Sequence, residues 1–131
     1  MGLRISRALR AQILAEAAAE PEREVCGLLF GTADEIVTAR PCANVSQDPE
    51  HSFEIEPTAL IAAHKAERAG GPRLAGCYHS HPNGRTEPSA RDAEAAWGGG
   101  LVWLIVAGAV LTAWRNDSEG AFQPLEIEPV S

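Results

Sequence analysis

The stretch Val25-Cys26-Gly27-Leu28-Leu29-Phe30-Gly31 is a continuous apolar run, and its length is typical of a buried β-strand. The residues that follow, Gly31-Thr32-Ala33-Asp34, have the composition of a turn. A second strand is predicted over Glu35 to Arg40, directly after that turn. The two strands therefore form a hairpin whose first strand is buried.

Three helices are predicted from apolar spacing and from their start and stop signals. Ser6 can cap a helix that runs to about Glu20, because apolar residues recur there at three- and four-residue intervals. A second helix over Thr58 to Ala69 is opened by Pro57, whose fixed φ angle suits the first helical position. A third helix is predicted from Ser89 to about Trp97, before a run of three glycines.

The remaining strands are short segments of apolar or alternating residues between loop compositions. They are Phe53 to Ile55, Leu74 to Tyr78, Leu101 to Ala107, Val110 to Arg115 and Phe122 to Ile127. The last strand holds Pro124, which cannot donate to a ladder, so this strand is expected at a sheet edge. Helices and strands alternate without an internal repeat or a linker, which favours one α/β domain over residues 1–131.

Composition and charge argue against several classes of function. The formal net charge is -7 and the sequence pI is about 5.0, so the protein repels polyanions and nucleic acid is not an expected partner. The longest apolar stretch, Leu101 to Trp114, is shorter than the roughly 20 residues of a membrane helix. Cys26, Cys42 and Cys77 form no Cys-x-x-Cys pair, and the first residues lack the apolar core of a signal peptide. A reducing cytoplasm is therefore expected.

Two histidines and one aspartate are spaced to share a metal ion. They occur in His79-Ser80-His81-Pro82 and in Ser89-Ala90-Arg91-Asp92. At i and i+2 on an extended segment, the two imidazoles point to the same side and Ser80 faces away. Two imidazoles and one carboxylate leave a tetrahedral zinc ion one ligand short, which is typical of a catalytic site and predicts a zinc hydrolase. A structural alternative for Ser89 and Asp92 is a capping box at the start of the third helix.

A hydrolase of this kind also needs a general base, and Glu24 is the candidate. It stands where the buried strand begins, and a carboxylate so close to apolar packing needs a reason other than solubility. Glu20 and Glu22 are solvated alternatives. The residues alone leave a structural role open, in which Glu24 pairs with Arg23 or Arg40.

Together these segments resemble the JAMM motif of the JAB1/MPN/Mov34 metalloproteases, in the small prokaryotic form of that family. The resemblance is carried by Glu24 and the apolar run after it, by His79-Ser80-His81-Pro82 and by Ser89-x-x-Asp92. It implies a single domain with a mixed β-sheet flanked by helices, similar to cytidine deaminases. It also implies that His79, His81 and Asp92 bind one zinc ion, that Glu24 is the acid/base, and that Ser89 stabilises the oxyanion.

The function implied by this resemblance is hydrolysis of the amide bond after the C-terminal Gly-Gly of a ubiquitin-like or sulfur-carrier protein. A thin Gly-Gly tail can add as a strand at a sheet edge. The alternative is a catalytically silent scaffold in a protein complex, but silent members have lost ligands and this chain keeps all five groups. A nucleoside deaminase would need Cys-x-x-Cys ligation and a His-x-Glu run, and neither occurs. The resemblance leaves a homodimer open.

Other side chains are expected to have mainly structural roles. Cys26 and Cys77 are expected to fill apolar strands. His51 is predicted to line the substrate groove. The tryptophans are expected in the core; they are Trp97, Trp103 and Trp114.

Overall fold

The computed structural model describes residues 2–96, 99–117 and 119–130. The elements within these residues are β1 (Leu3–Ser6), α1 (Arg7–Ala19), β2 (Cys26–Gly31), β3 (Glu35–Cys42), α2 (Pro57–Arg68), β4 (Leu74–Ser80), α3 (Ala90–Ala95), β5 (Val102–Ala107), β6 (Val110–Asn116), β7 (Phe122–Leu125) and β8 (Ile127–Val130). The described strands form one sheet in the order β7-β6-β5-β4-β2-β3-β1-β8. Three neighbouring pairs are parallel, β1–β3, β1–β8 and β4–β5, and the others are antiparallel. The predicted α/β class, a mixed sheet flanked by helices, is confirmed.

The centre of the sheet is buried on both faces. Every residue of β4 and β5 is buried, which explains why β5 and the first five residues of β4 are apolar without alternation. The helix α1 covers one face through Leu9 and Ile13, and α2 covers the other through Ala63. The polar residues of β4, His79 and Ser80, lie at the end of this buried strand.

The last two strands lie at opposite ends of the strand order, although only Glu126 separates them. Leu125 in β7 pairs with Ala113 of β6, whereas Ile127 in β8 pairs with Leu3 of β1. Leu125 and Ile127 also pack against the core cluster that holds the buried face of α1. The sheet therefore curls around α1 until β6 and β1 approach the same short segment.

The predicted strand Phe53 to Ile55 is wrong. This segment makes one isolated bridge, between Asn44 and Ile55, and no ladder. The N–H of Glu54 donates to the side-chain oxygen of Asn44 at 3.1 Å, and the N–H of Val45 donates to Glu54 O at 2.9 Å. A side-chain amide thus replaces part of the backbone pairing, which the alternation of apolar residues could not indicate.

Two further differences lie near the ends of the described chain. The four residues of β1 were not predicted as a strand, because they give too short a pattern. The predicted strand Phe122 to Ile127 is split at Glu126 into β7 and β8, and Pro124 in β7 does lie at one end of the strand order.

The third helix begins at Ala90 and ends at Ala95, and its predicted end at Trp97 lies outside the described residues.

Two of the three tryptophans pack in the same apolar cluster on the α2 side of the sheet. Trp103 is fully buried, and the half-buried Trp114 packs against it from β6, as predicted. Trp97 lies outside the described residues. Cys26 and Cys77 are buried in the same cluster, in the role predicted for them. Among the described helices, none has the length and apolarity that a bilayer crossing requires.

Gly76 is the position where the β4–β5 pairing tolerates no side chain. A Cβ atom at Gly76 would lie 1.8 Å from the carbonyl oxygen of Val102, which is far inside van der Waals contact. We expect Gly76→Ala to lower the free energy of unfolding by about 2–3 kcal/mol, because the two strands must separate to accept the methyl group. Urea denaturation followed by far-UV circular dichroism measures this.

Gly108→Ala is the control for that substitution. Gly108 lies in an exposed turn with φ 61° and no atom within 4 Å of an added Cβ, so only the left-handed backbone opposes the change. Its expected cost is about 1 kcal/mol. Equal effects of the two substitutions would contradict the close approach of β4 and β5.

Candidate metal and catalytic centre

Four buried acidic and imidazole side chains meet where β4 ends and β2 begins. They are Glu24, His79, His81 and Asp92, and one ligand atom from each lies within 4.8 Å of the others. The sequence named the same residues as three metal ligands and a general base. The structure brings all four together from three separate segments of the chain.

The antiparallel register of β2 and β4 explains how Glu24 reaches the histidines. Cys26 pairs with His79, so the residues before Cys26 lie beside those that follow His79. The N–H of Ser80 donates to Val25 O at 3.0 Å, which continues this pairing beyond the start of β2. One further step places Glu24 beside His81.

The three predicted ligands form a nearly equilateral triangle of donor atoms. The Nε2 atoms of His79 and His81 lie 3.0 Å apart, and Oδ2 of Asp92 lies 3.0 Å from the first and 3.1 Å from the second. A tetrahedral ion bound at about 2.0–2.1 Å separates neighbouring ligand atoms by about 3.3 Å, close to these edges. Two imidazoles and a carboxylate also suit a divalent transition metal. The arrangement fits a metal ion.

The imidazole of His81 is oriented by its second ring nitrogen. Nδ1 of His81 lies 2.8 Å from the carbonyl oxygen of Arg85, an acceptor, so Nδ1 carries the hydrogen of the neutral ring. The lone pair of Nε2 then faces the cluster, as a metal ligand requires. This is the usual way in which a second interaction fixes a ligating histidine.

The imidazole of His79 is oriented by aromatic packing instead. The ring of Phe53 stacks on it with centroids 4.3 Å apart and an interplanar angle of 21°. The indole of Trp103 meets it edge-on at 5.8 Å. Nδ1 of His79 is buried and has no hydrogen-bond partner among the described residues. The contacts with Phe53 and Trp103 therefore limit rotation of the His79 ring on two sides.

Asp92 takes part in the group of four buried side chains and in the capping box at the same time. Its Oδ2 accepts a hydrogen bond from Ser89 N at 2.8 Å, and its own N–H donates to Ser89 Oγ at 3.0 Å. The structural alternative suggested by the sequence is therefore correct and does not compete with the cluster. The cap fixes the first turn of α3 and so holds the carboxylate over the two imidazoles.

Burial and mutual hydrogen bonding set the charge states of the three ligands. Burial lowers the pKa of His79, which favours the neutral ring. Burial also opposes the charged form of His81, but hydrogen bonds with Asp92 and with Arg85 O raise the pKa of His81 overall. Burial alone would raise the pKa of Asp92, yet the contacts of its Oδ2 with the Nε2 atoms of His79 and His81, and the hydrogen bond from Ser89 N, hold that pKa well below the usual range. Asp92 is thus ionised.

Glu24 is 5% exposed, and its Oε1 has no hydrogen-bond partner among the described residues. Burial raises the pKa of Glu24 to about 7, so the carboxyl group can hold or release a proton near neutral pH. The pairing with Arg23 or Arg40 that the sequence left open is not found among the described residues. The Arg40 guanidinium lies over the ring of Phe30, 4.8 Å from its centroid.

The sequence prediction missed three residues that position the cluster, Ser80, Asn44 and Phe53. Ser80 was expected only to face away from the metal, and Asn44 and Phe53 were assigned to a loop and a strand. Nothing in the residue pattern links them to the site, because their partners are distant in sequence.

His51 forms an exposed ion pair with Asp48, with 3.0 Å between Nδ1 of His51 and Oδ1 of Asp48.

His51 lines an open cavity of about 540 Å³ that also includes Pro82, the residue after His81. Its other lining residues lie in three loops; they are Pro21, Glu22, Glu50, Pro82 and Asn83. Substrate contact by His51 stays a prediction.

Comparison with known proteins identifies the family. The family model described as prokaryotic homologs of the JAB domain matches residues 6–117. The chain belongs to this family. The JAMM-type resemblance stated from the motif is therefore confirmed.

Two curated proteins are similar to this chain in sequence. A desampylase of Haloferax volcanii is 38% identical over 91 residues, which cover 68% of this chain and 66% of the relative. A probable TtuB-protein conjugate cleaving protease of Thermus thermophilus is 36% identical over 96 residues, 72% of this chain and 64% of the relative. The matched part thus spans just under two thirds of the length of each relative.

Solved structures agree with the fold. A protein from Desulfitobacterium hafniense superposes with a TM-score of 0.80 at 29% identity, covering 98% of this chain and 93% of that one. A JAB1/MPN domain protein from Archaeoglobus fulgidus superposes with a TM-score of 0.62 at 22% identity, covering 98% of both chains. The mixed, curled sheet is therefore the JAB1/MPN fold.

Substitutions of the four buried residues distinguish the three predicted metal ligands from Glu24, the predicted general base. We expect His79→Ala and Asp92→Ala to lose the metal ion, because each removes one of three donor atoms. Glu24→Ala keeps that triangle and should retain about one ion per chain. Elemental analysis of purified protein after dialysis measures the content, with circular dichroism as the check of folding. Full metal content in both His79→Ala and Asp92→Ala would refute the ligand assignment.

Proposed function

We propose that this protein is a zinc-dependent metallopeptidase that hydrolyses the amide bond after the C-terminal Gly-Gly of a ubiquitin-like or sulfur-carrier protein. The observation that carries the proposal is the intact, buried group of Glu24, His79, His81 and Asp92. The names of the two curated relatives, a desampylase and a probable TtuB-protein conjugate cleaving protease, support a protein conjugate as the substrate. A silent scaffold would have no need to keep four such groups buried together.

The donor set supports zinc as the metal. His79, His81 and Asp92 would hold it and leave one coordination position for water or substrate. A zinc ion there supplies Lewis acidity, which polarises the scissile carbonyl group and makes water acidic near neutral pH. Neutral His79 and ionised Asp92 are the charge states that such a ligand set needs.

Glu24 acts as the general base and then as the general acid. Its Oε1 is buried without a partner and so is available to take the proton from the attacking water. A pKa of about 7 lets the same carboxyl group return that proton to the departing amine. One residue thus performs both proton transfers, and no covalent acyl intermediate is needed.

Ser89 donates a hydrogen bond to the oxyanion that develops on the scissile carbonyl. Its Oγ accepts the N–H of Asp92 at 3.0 Å, and this bond fixes the oxygen while leaving the hydroxyl hydrogen for another acceptor. Donors fixed before the reaction stabilise developing charge without a cost of reorganisation. The capping box therefore orients a group for catalysis as well as starting α3.

Cleavage of a defined substrate tests the proposal. A ubiquitin-like protein with a C-terminal Gly-Gly extension, fused to a short peptide, should be cut after the second glycine. A zinc chelator and Glu24→Ala should each abolish cleavage, the first by removing the metal and the second by removing the base. Mass spectrometry of the products locates the bond. Cleavage that survives both treatments would overturn the metallopeptidase mechanism.

Ser89→Ala tests the oxyanion role separately. We expect kcat to fall by about 10²–10³-fold, the usual effect of losing one oxyanion donor. The metal content should stay the same, since Asp92 keeps its bond from Ser89 N. Ser6→Ala is the matched control, because Ser6 Oγ also caps a helix, accepting from Leu9 N at 3.0 Å. A fall in metal content equal to the fall in kcat would assign Ser89 to the ligand frame instead.

A further inference from the structure

Ser80 lies between the two histidines, and its side chain points to the face of β4 opposite to the predicted metal ligands. It is 5% exposed, so its hydroxyl group needs partners within the protein. With the described part of the chain the hydroxyl makes two hydrogen bonds, and both go to the backbone of the segment that carries Glu24. The N–H of Val25 donates to Ser80 Oγ at 2.8 Å, and Ser80 Oγ donates to Arg23 O in a longer bond of 3.4 Å.

These two bonds hold the peptide groups on either side of the Glu24 Cα atom. Arg23 O belongs to the peptide bond before Glu24, and the N–H of Val25 belongs to the peptide bond after it. A single hydroxyl group therefore restrains both backbone dihedral angles of Glu24. The N–H of Ser80 adds a third contact to the same segment through Val25 O, at 3.0 Å.

The other polar atoms of the same two peptide groups are also satisfied. Glu24 N donates to Pro49 O at 2.7 Å, and Glu24 O accepts from Asn44 Nδ2 at 2.9 Å. Glu24 precedes β2, so these contacts take the place of a regular ladder. Asn44 also organises its own loop through Ser46 and Ser52, whereas among the described residues the side-chain bonds of Ser80 go only to the Glu24 segment.

We propose that Ser80 is a positioning residue that fixes the Glu24 carboxylate against the metal ligands. This inference rests on the role of Glu24 in the proposed function. Since Ser80 is bonded covalently between His79 and His81, any shift of the ligand pair is passed directly to the Glu24 segment. The distance between the base and the metal is thereby set by one residue of the His-x-His sequence.

Crystal structures of the wild type, Ser80→Ala and Ser80→Thr, each loaded with zinc, test this placement. In Ser80→Ala the Glu24 carboxylate should move by about 1 Å or more, and kcat per bound metal should fall about 10- to 100-fold with KM unchanged. Ser80→Thr keeps the hydroxyl group and should restore both. The added methyl group has room, because Ser80 lines a cavity of about 480 Å³ together with Leu14 and Ala17.

Ser6→Ala again serves as the control, because it removes one bond between a hydroxyl group and the backbone at the N-terminus of α1. It should change neither the position of the Glu24 carboxylate nor kcat per bound metal. If Ser80→Ala does not fold, Ser80→Cys replaces it, since a thiol is a poor acceptor. An unmoved Glu24 carboxylate, or an unchanged kcat per bound metal despite a displaced carboxylate, would overturn the inference. If the wild type cleaves no Gly-Gly fusion, the proposed function fails, and the position of Glu24 still decides whether Ser80 holds it.

Discussion

The antiparallel register between β2 and β4 is the constraint on which the site depends. Because Cys26 pairs with His79, the start of one buried strand lies beside the end of the other, and Glu24 reaches the histidines. A slip of one residue would turn every side chain of β2 to the other face of the sheet. Leu28 would then leave its apolar cluster and Glu24 would leave the metal ligands. Core packing thus protects the catalytic geometry.

Burying four ionisable groups at one point opposes folding, and the site compensates for this unequally. Asp92 is stabilised by two imidazoles and by the N–H of Ser89, so its charge is well satisfied. Glu24 Oε1 and His79 Nδ1 are buried without partners among the described residues, and each such group costs about 1–3 kcal/mol. A metal ion that binds only the folded state would add stability in proportion to its saturation. Metal binding would therefore offset part of the cost of burying these groups.

The sequence predicted the parts of the molecule that repeat a local pattern or match a motif. The buried strands and the first two helices follow from apolar spacing, and the five site residues follow from the motif. Ser80 could not be recognised as a partner of Glu24, because their contact depends on strand register. Phe53 to Ile55 alternates like a strand, yet the N–H of Glu54 donates to the side-chain oxygen of Asn44 instead of to the backbone of a neighbouring strand. Long-range pairing leaves no local signal in either case.

The curled sheet also has a kinetic consequence. Leu3 pairs with Ile127, and Ser6 pairs with Val130, so one part of the sheet joins residues from nearly opposite ends of the described chain. Contacts of such large sequence separation are slow to form, since the intervening chain must be ordered first. β1 and β8 are separated from the strands of the metal cluster by β3 in the strand order. Fraying of β8, which has no fully buried residue, can therefore occur as a local opening event while β2, β4 and β5 keep the four buried groups together.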